Sequence, residues 1–298
     1  MRIACLGGAH LDTKAHLINA PRLATSNPAT VSRSPGGVAC NVARNLARLG
    51  AEVVLCSLVG DDVAAGSLRN VLNREGVDDS GLITHPHLPT AGYLAVLQPD
   101  GGLVIGIADM AIYDAVDGAW VDRAAGHAAG ADLWVVDANL PERAIEMLVE
   151  RAPVPVLADP VSVAKAVRFK STLRMLAGVF PDRAEAAVLA NGDAAAPAAN
   201  AAAIAASGIG TVVVSLGADG AHLHRGDHGQ TRPAAVSGPI VDVTGAGDAL
   251  LAGYAYALAA GEADPLGWGL AAASLAVESD ESVAPGITAS AVRSRLPE

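Results

Sequence analysis

Short, continuous apolar runs recur along the chain at residues 3–6, 53–58, 133–136, 154–158 and 211–215. Each is bounded by polar or glycine positions and reads as a buried strand. Between them lie longer segments with apolar residues at helical spacing: 38–49, 64–75, 142–151, 184–190, 195–206, 249–260 and 266–277. Strands alternating with helices predict an α/β fold, in which a mainly parallel sheet is covered on both faces. Two stretches break the alternation. Residues 13–34 follow the first strand and contain no convincing helix. Residues 90–107 read as a hairpin, with Tyr93 to Leu97 and Leu103 to Ile105 flanking the turn Pro99-Asp100-Gly101-Gly102. Both leave the sheet near the carboxyl ends of early strands, where open α/β sheets bind ligands. Together they predict one small β lid made of residues 12–38 and 88–110. The large domain is then made of residues 1–11, 39–87 and 111–298.

Composition narrows this picture. At 298 residues the chain accommodates one large α/β domain with an appendage. Apolar residues make up 51% of it but aromatic ones only 3%, so Ala, Val and Leu must build the core. The formal charge of −11 argues against a general affinity for nucleic-acid backbones. A small anionic ligand remains compatible with it, because helix ends and a few cations bind phosphate locally. The three cysteines, Cys5, Cys40 and Cys56, lack metal-ligand spacing and read as reduced thiols. No apolar run reaches membrane-spanning length, and Arg2 leads straight into a strand, so a cytoplasmic protein is expected.

The segment richest in chemistry is Val241-Asp242-Val243-Thr244-Gly245-Ala246-Gly247-Asp248, just ahead of the apolar helix expected from Ala249. Free backbone N–H groups at a helix start stabilise an anion. Glycine at 245 and 247 leaves the backbone open to a ligand. A carboxylate beside an anion site is costly unless it handles a proton or a metal, which points to phosphoryl transfer. An ordinary Gly-x-Gly turn with an acidic residue in a first helical turn explains the same residues more blandly. Elsewhere, Gly7-Gly8 closes the first strand ahead of Asp12, and Gly36-Gly37 precedes a helix bearing Asn41 and Asn45. A carboxylate, an amide and close backbone approach suit a polyol, although each turn taken alone is equally explained as structure.

Taken together, Gly7-Gly8 with Asp12, Gly36-Gly37 with Asn41, and the Asp242 to Asp248 segment resemble the ribokinase, or PfkB, family of sugar and nucleoside kinases. Four further segments are similar to the pseudouridine kinases within that family: Ser26-Asn27-Pro28, Pro35 to Gly50, Gly106 to Tyr113 and Ala158 to Ala166. The resemblance runs nearly end to end. It implies a ribokinase-like α/β/α sandwich with a small β-sheet lid, and ATP-dependent phosphorylation of the 5′-hydroxyl of pseudouridine. Ribose, adenosine or another nucleoside are the alternative acceptors.

The resemblance also implies roles. Asp248 matches the catalytic base, and Gly245, Ala246 and Gly247 match the anion hole. Asp12, Gly36, Gly37 and Asn41 match ribose-binding positions. Lys14, Asn27, Tyr93, Asp109 and Met110 fall on or beside the lid, where the base would sit. Solvated lid residue is the competing reading for Lys14, and packing for Tyr93 and Met110. On the nucleotide side, Ser215, Gly217 and Gly220 match a phosphate-contacting turn, and residues 271–284, Ala273 among them, match the adenine pocket and the monovalent-cation loop. Asp182 stands where the family carries Asn, ahead of Glu185, which matches a position holding Mg²⁺ through water. The added charge of Asp182 would favour Mg²⁺ and repel ATP phosphates. Asp242 and Thr244 match one half of a potassium site. A homodimer through the lid is expected by family analogy.

Other readings fit less well. A dinucleotide-dependent oxidoreductase needs Gly-x-Gly-x-x-Gly after the first strand, and Gly7-Gly8-Ala9-His10-Leu11-Asp12 does not supply it. A binding protein that has lost catalysis would have no need to keep Asp248 and both glycines. His85, His87, His222, His224 and His228 lack ligand spacing and read as ordinary surface or structural residues. Asp61-Asp62 reads as a helix cap.

Overall fold

Side chains alternate across a strand, and in this chain the alternation divides the interior into two apolar layers. Ile3, Cys5, Val53, Leu55, Leu133 and Val135 join one cluster, while Ala4, Leu6, Val54, Cys56, Trp134 and Val136 join another. A sheet buried on both faces requires helices on both faces, and that is the arrangement found.

The computed structural model describes residues 1–236 and 238–296. Its strands are β1 (Arg2–Leu6), β2 (His10–Leu17), β3 (Ala29–Gly36), β4 (Glu52–Gly60), β5 (Val77–Asp78), β6 (Leu82–His85), β7 (Gly92–Leu97), β8 (Leu103–Asp109), β9 (Leu133–Asp137), β10 (Val156–Asp159), β11 (Gly178–Val179), β12 (Val212–Ser215), β13 (Ala221–Arg225) and β14 (His228–Arg232). Its helices are α1 (Val38–Leu49), α2 (Val63–Arg74), α3 (Gly118–His127), α4 (Glu142–Arg151), α5 (Val163–Ala166), α6 (Arg183–Ala190), α7 (Pro197–Ala205), α8 (Ala246–Ala260), α9 (Pro265–Val277) and α10 (Ala289–Arg293).

The large sheet runs β14-β13-β12-β11-β10-β9-β1-β4-β5, with β6 also paired to β4. It is parallel from β5 to β12, and β13 and β14 add an antiparallel edge. Helices α1, α2 and α8 pack on one face, and α3, α4, α6 and α7 on the other. Helices α9 and α10 pack outside α8 around Trp268 and Ile287. Register brings Leu6 beside Val136, and Asp159 beside Asp137, so the carboxyl ends of β1, β9 and β10 form one continuous rim. The mainly parallel α/β fold matches the expectation from the apolar runs.

A separate sheet, β3-β2-β7-β8, carries the two stretches that break the alternation. The segment expected to lack helix is the β2–β3 hairpin, and β7–β8 is the expected second one. Alternation and register give this sheet two unlike faces. Asp12, Lys14, Ser32, Ser34 and Tyr93 share one, and Thr13, Ala15, Val31, Leu94, Val96, Ile105 and Ile107 share the other.

Three differences from the sequence expectation have physical causes. Helix α3 is set by its cap, because the Asp117 carboxylate accepts the Trp120 N–H at 2.8 Å, and its alanines and glycines carry little periodic signal. Strands β13 and β14 are rich in His, Arg and Gly, and β14 is an exposed edge with no apolar alternation to read. Helix α8 begins at Ala246 rather than Ala249, with glycine inside its first turn.

No helix of the described residues is long and apolar enough to cross a membrane. All three cysteines are free and buried.

Asp62 ties α2 to the entry of β7. Its carboxylate accepts the Ala65 N–H at 2.9 Å as an N-cap, and it also accepts the Thr90 N–H at 2.8 Å and the Thr90 hydroxyl at 2.7 Å. Partial desolvation pushes its pKa up, but these donors outweigh it and hold the carboxyl below its ordinary range. Asp62→Ala is expected to lower the unfolding free energy by about 1–2 kcal/mol at neutral pH. A depressed pKa stabilises the fold above the ordinary carboxylate range and loses that contribution as pH falls through the depressed value. Urea titrations at neutral and acid pH should therefore show the gap to wild type narrowing in acid.

Candidate active site

Gly245 caps α8 in a left-handed conformation, with φ of 80°. A Cβ there would sit 2.0 Å from the Ser282 carbonyl oxygen, so both backbone and space demand glycine. No side chain caps this helix. The first-turn amides, including those of Gly247 and Asp248, are left for a ligand. Nothing lies within 4 Å of a Cβ built on Gly247, so this turn faces open space.

Asp248 is the third residue of α8, and its Oδ2 accepts a 2.8 Å hydrogen bond from Asn41 Nδ2. The two residues lie 207 positions apart. Gly37 starts α1 with φ of 98°, and a Cβ there would meet the Gly8 carbonyl oxygen at 2.3 Å. The three motifs read from sequence therefore converge: the Gly7-Gly8 turn, the start of α1 and the start of α8.

Asp12, on β2, lies 3.3 Å from His10 Nε2. Its Oδ1, the oxygen facing that imidazole, and the Asn41 Oδ1 are buried and accept no hydrogen bond. Two orphan acceptors beside Asp248 fit a ligand that presents hydroxyl donors.

Asp248 is half-buried, and desolvation of its carboxyl is the main reason its pKa is pushed up to about 7. The Asn41 hydrogen bond works against that rise, while the charges of Asp137 and Asp12 add to it. Asp159, at the end of β10, is buried and raised for the same first reason, with Asp248 and Glu185 next in effect. A carboxyl that exchanges its proton near neutral pH is suited to general base work.

A cavity of about 560 Å³ opens beside the α8 start. Asp182, Ser215, Gly217, Gly220 and Ala273 all line it, as do Ala246 and Gly247. The structure thus brings these five residues expected on the nucleotide side to one cavity, whereas Glu185 and most of residues 271–284 do not line it. The turn after β12 is closed by a 2.8 Å bond from Leu216 N–H to the Gly220 carbonyl. Val236, Ile240, Leu270 and Val277 make the cavity's far end apolar, which suits a flat heteroaromatic ring.

Asp182 has a structural explanation of its own: it caps α6. Its Oδ1 accepts the Glu185 N–H at 2.7 Å, and Glu185 Oε2 accepts the Asp182 N–H at 2.9 Å. Burial pushes Glu185 up to about 7, against the Asp182 hydrogen bond and with help from the Asp182 charge. A buried carboxyl raised in this way gains from a nearby cation, so Glu185 fits a Mg²⁺ ion held beside the cavity. Asp242 fits its expected cation less fully. One oxygen accepts both the Thr244 N–H and hydroxyl, and the other lies 3.8 Å from Lys14 Nζ. The Asp242 pKa is lowered because the Thr244 donors and the Lys14 charge outweigh desolvation. A potassium ion there would compete with an ammonium already present.

The small-sheet residues divide. Lys14 and Tyr93 share the Asp12 face, and Lys14 bridges to the α8 loop through Asp242. Asp109 falls on the opposite face, exposed, with Ile107. Met110 packs against the main core. Asn27 lies beyond the Leu17–Ala29 end of the hairpin, and its amide closes that loop on Arg22 and Thr25. This chain's own fold brings none of these last three to Asp12. Among the described residues no group of His, Cys, Asp and Glu is arranged to hold a metal directly, the five sequence-noted histidines included.

Asp137 and Asn139 were not singled out from sequence. Asp137 is fully buried and accepts the N–H groups of Gly8 at 2.9 Å, Ala39 at 2.8 Å and Asn139 at 2.8 Å. It joins the β1 turn, the α1 start and the end of β9. The available signal was its place directly after an apolar strand run, at the ligand-binding rim.

Removing the Asp248 charge should stabilise the fold. An acid whose folded pKa lies above its unfolded value costs stability as pH rises between the two. With Asp248 moving from the ordinary 3.8 to about 7, that loss is complete above neutral pH. Asp248→Asn should therefore melt several degrees higher than wild type at pH 8 and lose that advantage below pH 4, as followed by calorimetry.

Known proteins place the chain. The family model described as pfkB family carbohydrate kinase matches residues 3–288. A pseudouridine kinase of Escherichia coli K12 is 33% identical over 260 residues, covering 85% of this chain and 82% of its own length. A pseudouridine kinase of Arabidopsis thaliana is 31% identical over 196 residues, covering 64% of this chain and 51% of its own length. Among solved structures, a carbohydrate kinase from Agrobacterium tumefaciens superposes with a TM-score of 0.86 at 30% identity, covering all of this chain and 98% of its own. An Arabidopsis ribokinase complexed with ribose and ATP shares the fold, with a TM-score of 0.85 at 21% identity, covering 100% of this chain and 98% of its own. The chain has a ribokinase-like fold and belongs to the PfkB family of carbohydrate kinases.

Proposed function

We propose that this kinase transfers the γ-phosphoryl group of ATP to the 5′-hydroxyl of pseudouridine. The observation that carries the reading is the Asn41–Asp248 hydrogen bond, which sets a carboxyl of raised pKa in the first turn of α8, next to Ala246 and Gly247, which line the cavity. Pseudouridine is favoured as acceptor by the two relatives of that name. Ribose, adenosine and other nucleosides are the rivals.

In this reading the orphan oxygens of Asp12 and Asn41 accept hydrogen bonds from ribose hydroxyls, and Gly36 and Gly37 let the sugar approach the backbone. In the same reading the 5′-hydroxyl lies at Asp248, which takes its proton as the oxygen attacks the γ-phosphorus, and the bond from that phosphorus to the bridging oxygen breaks to release ADP. The amides of Gly245, Ala246 and Gly247 face the charge on the moving phosphoryl group. ATP supplies that group from the cavity lined by Ser215, Gly217, Gly220 and Ala273. Glu185 would hold Mg²⁺ near the phosphates through water, supplying charge neutralisation. Asp242 and Thr244 would contribute half of a potassium site.

Residues 12–38 and 88–110 act as the lid, and residues 1–11, 39–87 and 111–298 as the body. The lid's polar face meets the substrate. Its opposite face exposes Val31 (55%), Ile105 (51%) and Ile107 (51%), an apolar patch suited to pairing with the same face of a second copy. Light scattering at micromolar concentration should give a dimer, and a monomer would count against this pairing.

Asp248→Asn is expected to lose at least about a thousandfold in turnover while nucleoside affinity stays within a few-fold, measured by coupled ATP consumption and calorimetry. In wild type, kcat/KM should rise with pH through about 7 as Asp248 loses its proton. A nucleoside panel should show pseudouridine as the best acceptor, and faster turnover of ribose would end the pseudouridine assignment.

A further inference from the structure

The segment from Asp159 to Lys165 has no part in the reaction described above, yet its backbone is strained. Three non-glycine residues among those described have positive φ, and Val161, at 67°, is the only β-branched one. Such a conformation is costly for a β-branched side chain and clusters at functional sites. It is held by Asp159, whose Oδ1 accepts the Val161 N–H at 2.7 Å, and by a 2.7 Å bond from Ser162 N–H to the Pro160 carbonyl. The turn launches α5, and α5 sends Lys165 back to the rim of the sheet.

There the Lys165 ammonium donates a 2.7 Å hydrogen bond to Asn139 Oδ1, its only side-chain hydrogen bond among the described residues. The side chain is half-buried, and no described carboxylate lies within ion-pair distance of it. Desolvation lowers its pKa, the more distant charge of Asp137 works the other way, and Arg168 adds to the lowering. Arg168 itself is occupied with the carbonyls of Ala138, Asn139 and Leu140. A cation sheltered from water without a counter-charge is unfavourable unless something else completes its hydrogen bonding.

Its position says what that is. Asn139 is locked at its other end, where Nδ2 donates to Asp137 Oδ2 at 3.0 Å. The same nitrogen would be 2.4 Å from a Cβ on Gly8, and the Gly8 carbonyl packs on Gly37. Lys165 is therefore one amide away from the glycine turns that border Asp12 and Asn41, on the rim where open α/β sheets bind ligands. An ammonium has three donors, and Asn139 takes one.

We propose that Lys165 is a specificity-determining residue of the nucleoside site, held by Asn139 and donating a hydrogen bond to an acceptor oxygen of the bound nucleoside. The acceptor is either a carbonyl oxygen of the base or an oxygen of the sugar. This rests on the kinase reading above and adds a contact from the rim of the large sheet.

Lys165→Met keeps the apolar stem and removes the donor. Initial rates with pseudouridine and with ribose at saturating ATP, calorimetric titration of each without ATP, and a melting curve form one experiment. Loss of a charged hydrogen bond should raise KM and Kd for pseudouridine about 10- to 100-fold. The KM for ATP and the melting temperature should stay near wild type, and Lys165→Arg should recover part of the loss. An effect confined to pseudouridine assigns the acceptor to the base, and an equal effect on ribose assigns it to the sugar. Nucleoside KM and Kd within twofold of wild type overturn the proposal, as does a lowered melting temperature with ATP and nucleoside KM moving together. A wild-type chain that binds pseudouridine without turning it over overturns the kinase reading, while calorimetry on Lys165→Met still decides this one. A chain that binds neither compound overturns both.

Discussion

One hydrogen bond, from Asn41 Nδ2 to Asp248 Oδ2, joins the two halves of the site, and the surrounding structure keeps its ends in place. The Asn41 end depends on the start of α1. That start has no cap of its own, and Asp137 of β9 supplies a substitute by accepting the Ala39 N–H. Farther along α1, Arg44 forks onto Glu75 at 2.7 and 3.0 Å, and Arg48 adds a third contact at 3.0 Å. The Asp248 end depends on Gly245, whose left-handed backbone turns the preceding loop into α8. The bond length leaves little tolerance, so a shift in either helix would be felt at the carboxylate.

The same geometry creates an electrostatic cost. Asp248, Asp159 and Glu185 are all raised chiefly by desolvation, and their mutual charges add to it for Asp159. A parallel sheet with both faces covered supplies the burial that tolerates this. The N-terminal end of α8 partly compensates, since its positive end lies beside Asp248. Stability is given up locally for a carboxyl that changes charge near neutral pH, the range in which a proton acceptor is useful.

The small sheet works by having unlike faces. Its polar face brings Asp12 to the α1 and α8 starts, and Lys14 spans to Asp242 on the loop that leads into Gly245. The small sheet is thereby tied to the loop that leads into α8. Asp62 anchors the sheet from the other side through Thr90.

Much of this was legible in the sequence because it is local. Continuous apolar runs fixed the parallel strands, and glycine pairs with an adjacent carboxylate or amide marked the turns at Gly7-Gly8, Gly36-Gly37 and Gly245 to Gly247. The turn from Ser215 to Gly220 was legible too, since its backbone chemistry is written in its own glycines. What the sequence left undecided depends on pairing across space. Asp109 differs from Tyr93 only by the face that strand register assigns it, and Asn27 only by the length of hairpin that carries it away from Asp12. Asp182 reads from sequence as an altered metal position, and the fold makes it the cap of α6. Asp137 and Asn139 carry no local motif, because their meaning lies in donors contributed by separate segments, and Lys165 lies in a recognisable segment whose partner Asn139 only the fold supplies. The raised pKa of Asp248 belongs to tertiary structure alone: a carboxyl's affinity for its proton is set by the water it loses and the charges it meets, and only the folded chain determines either.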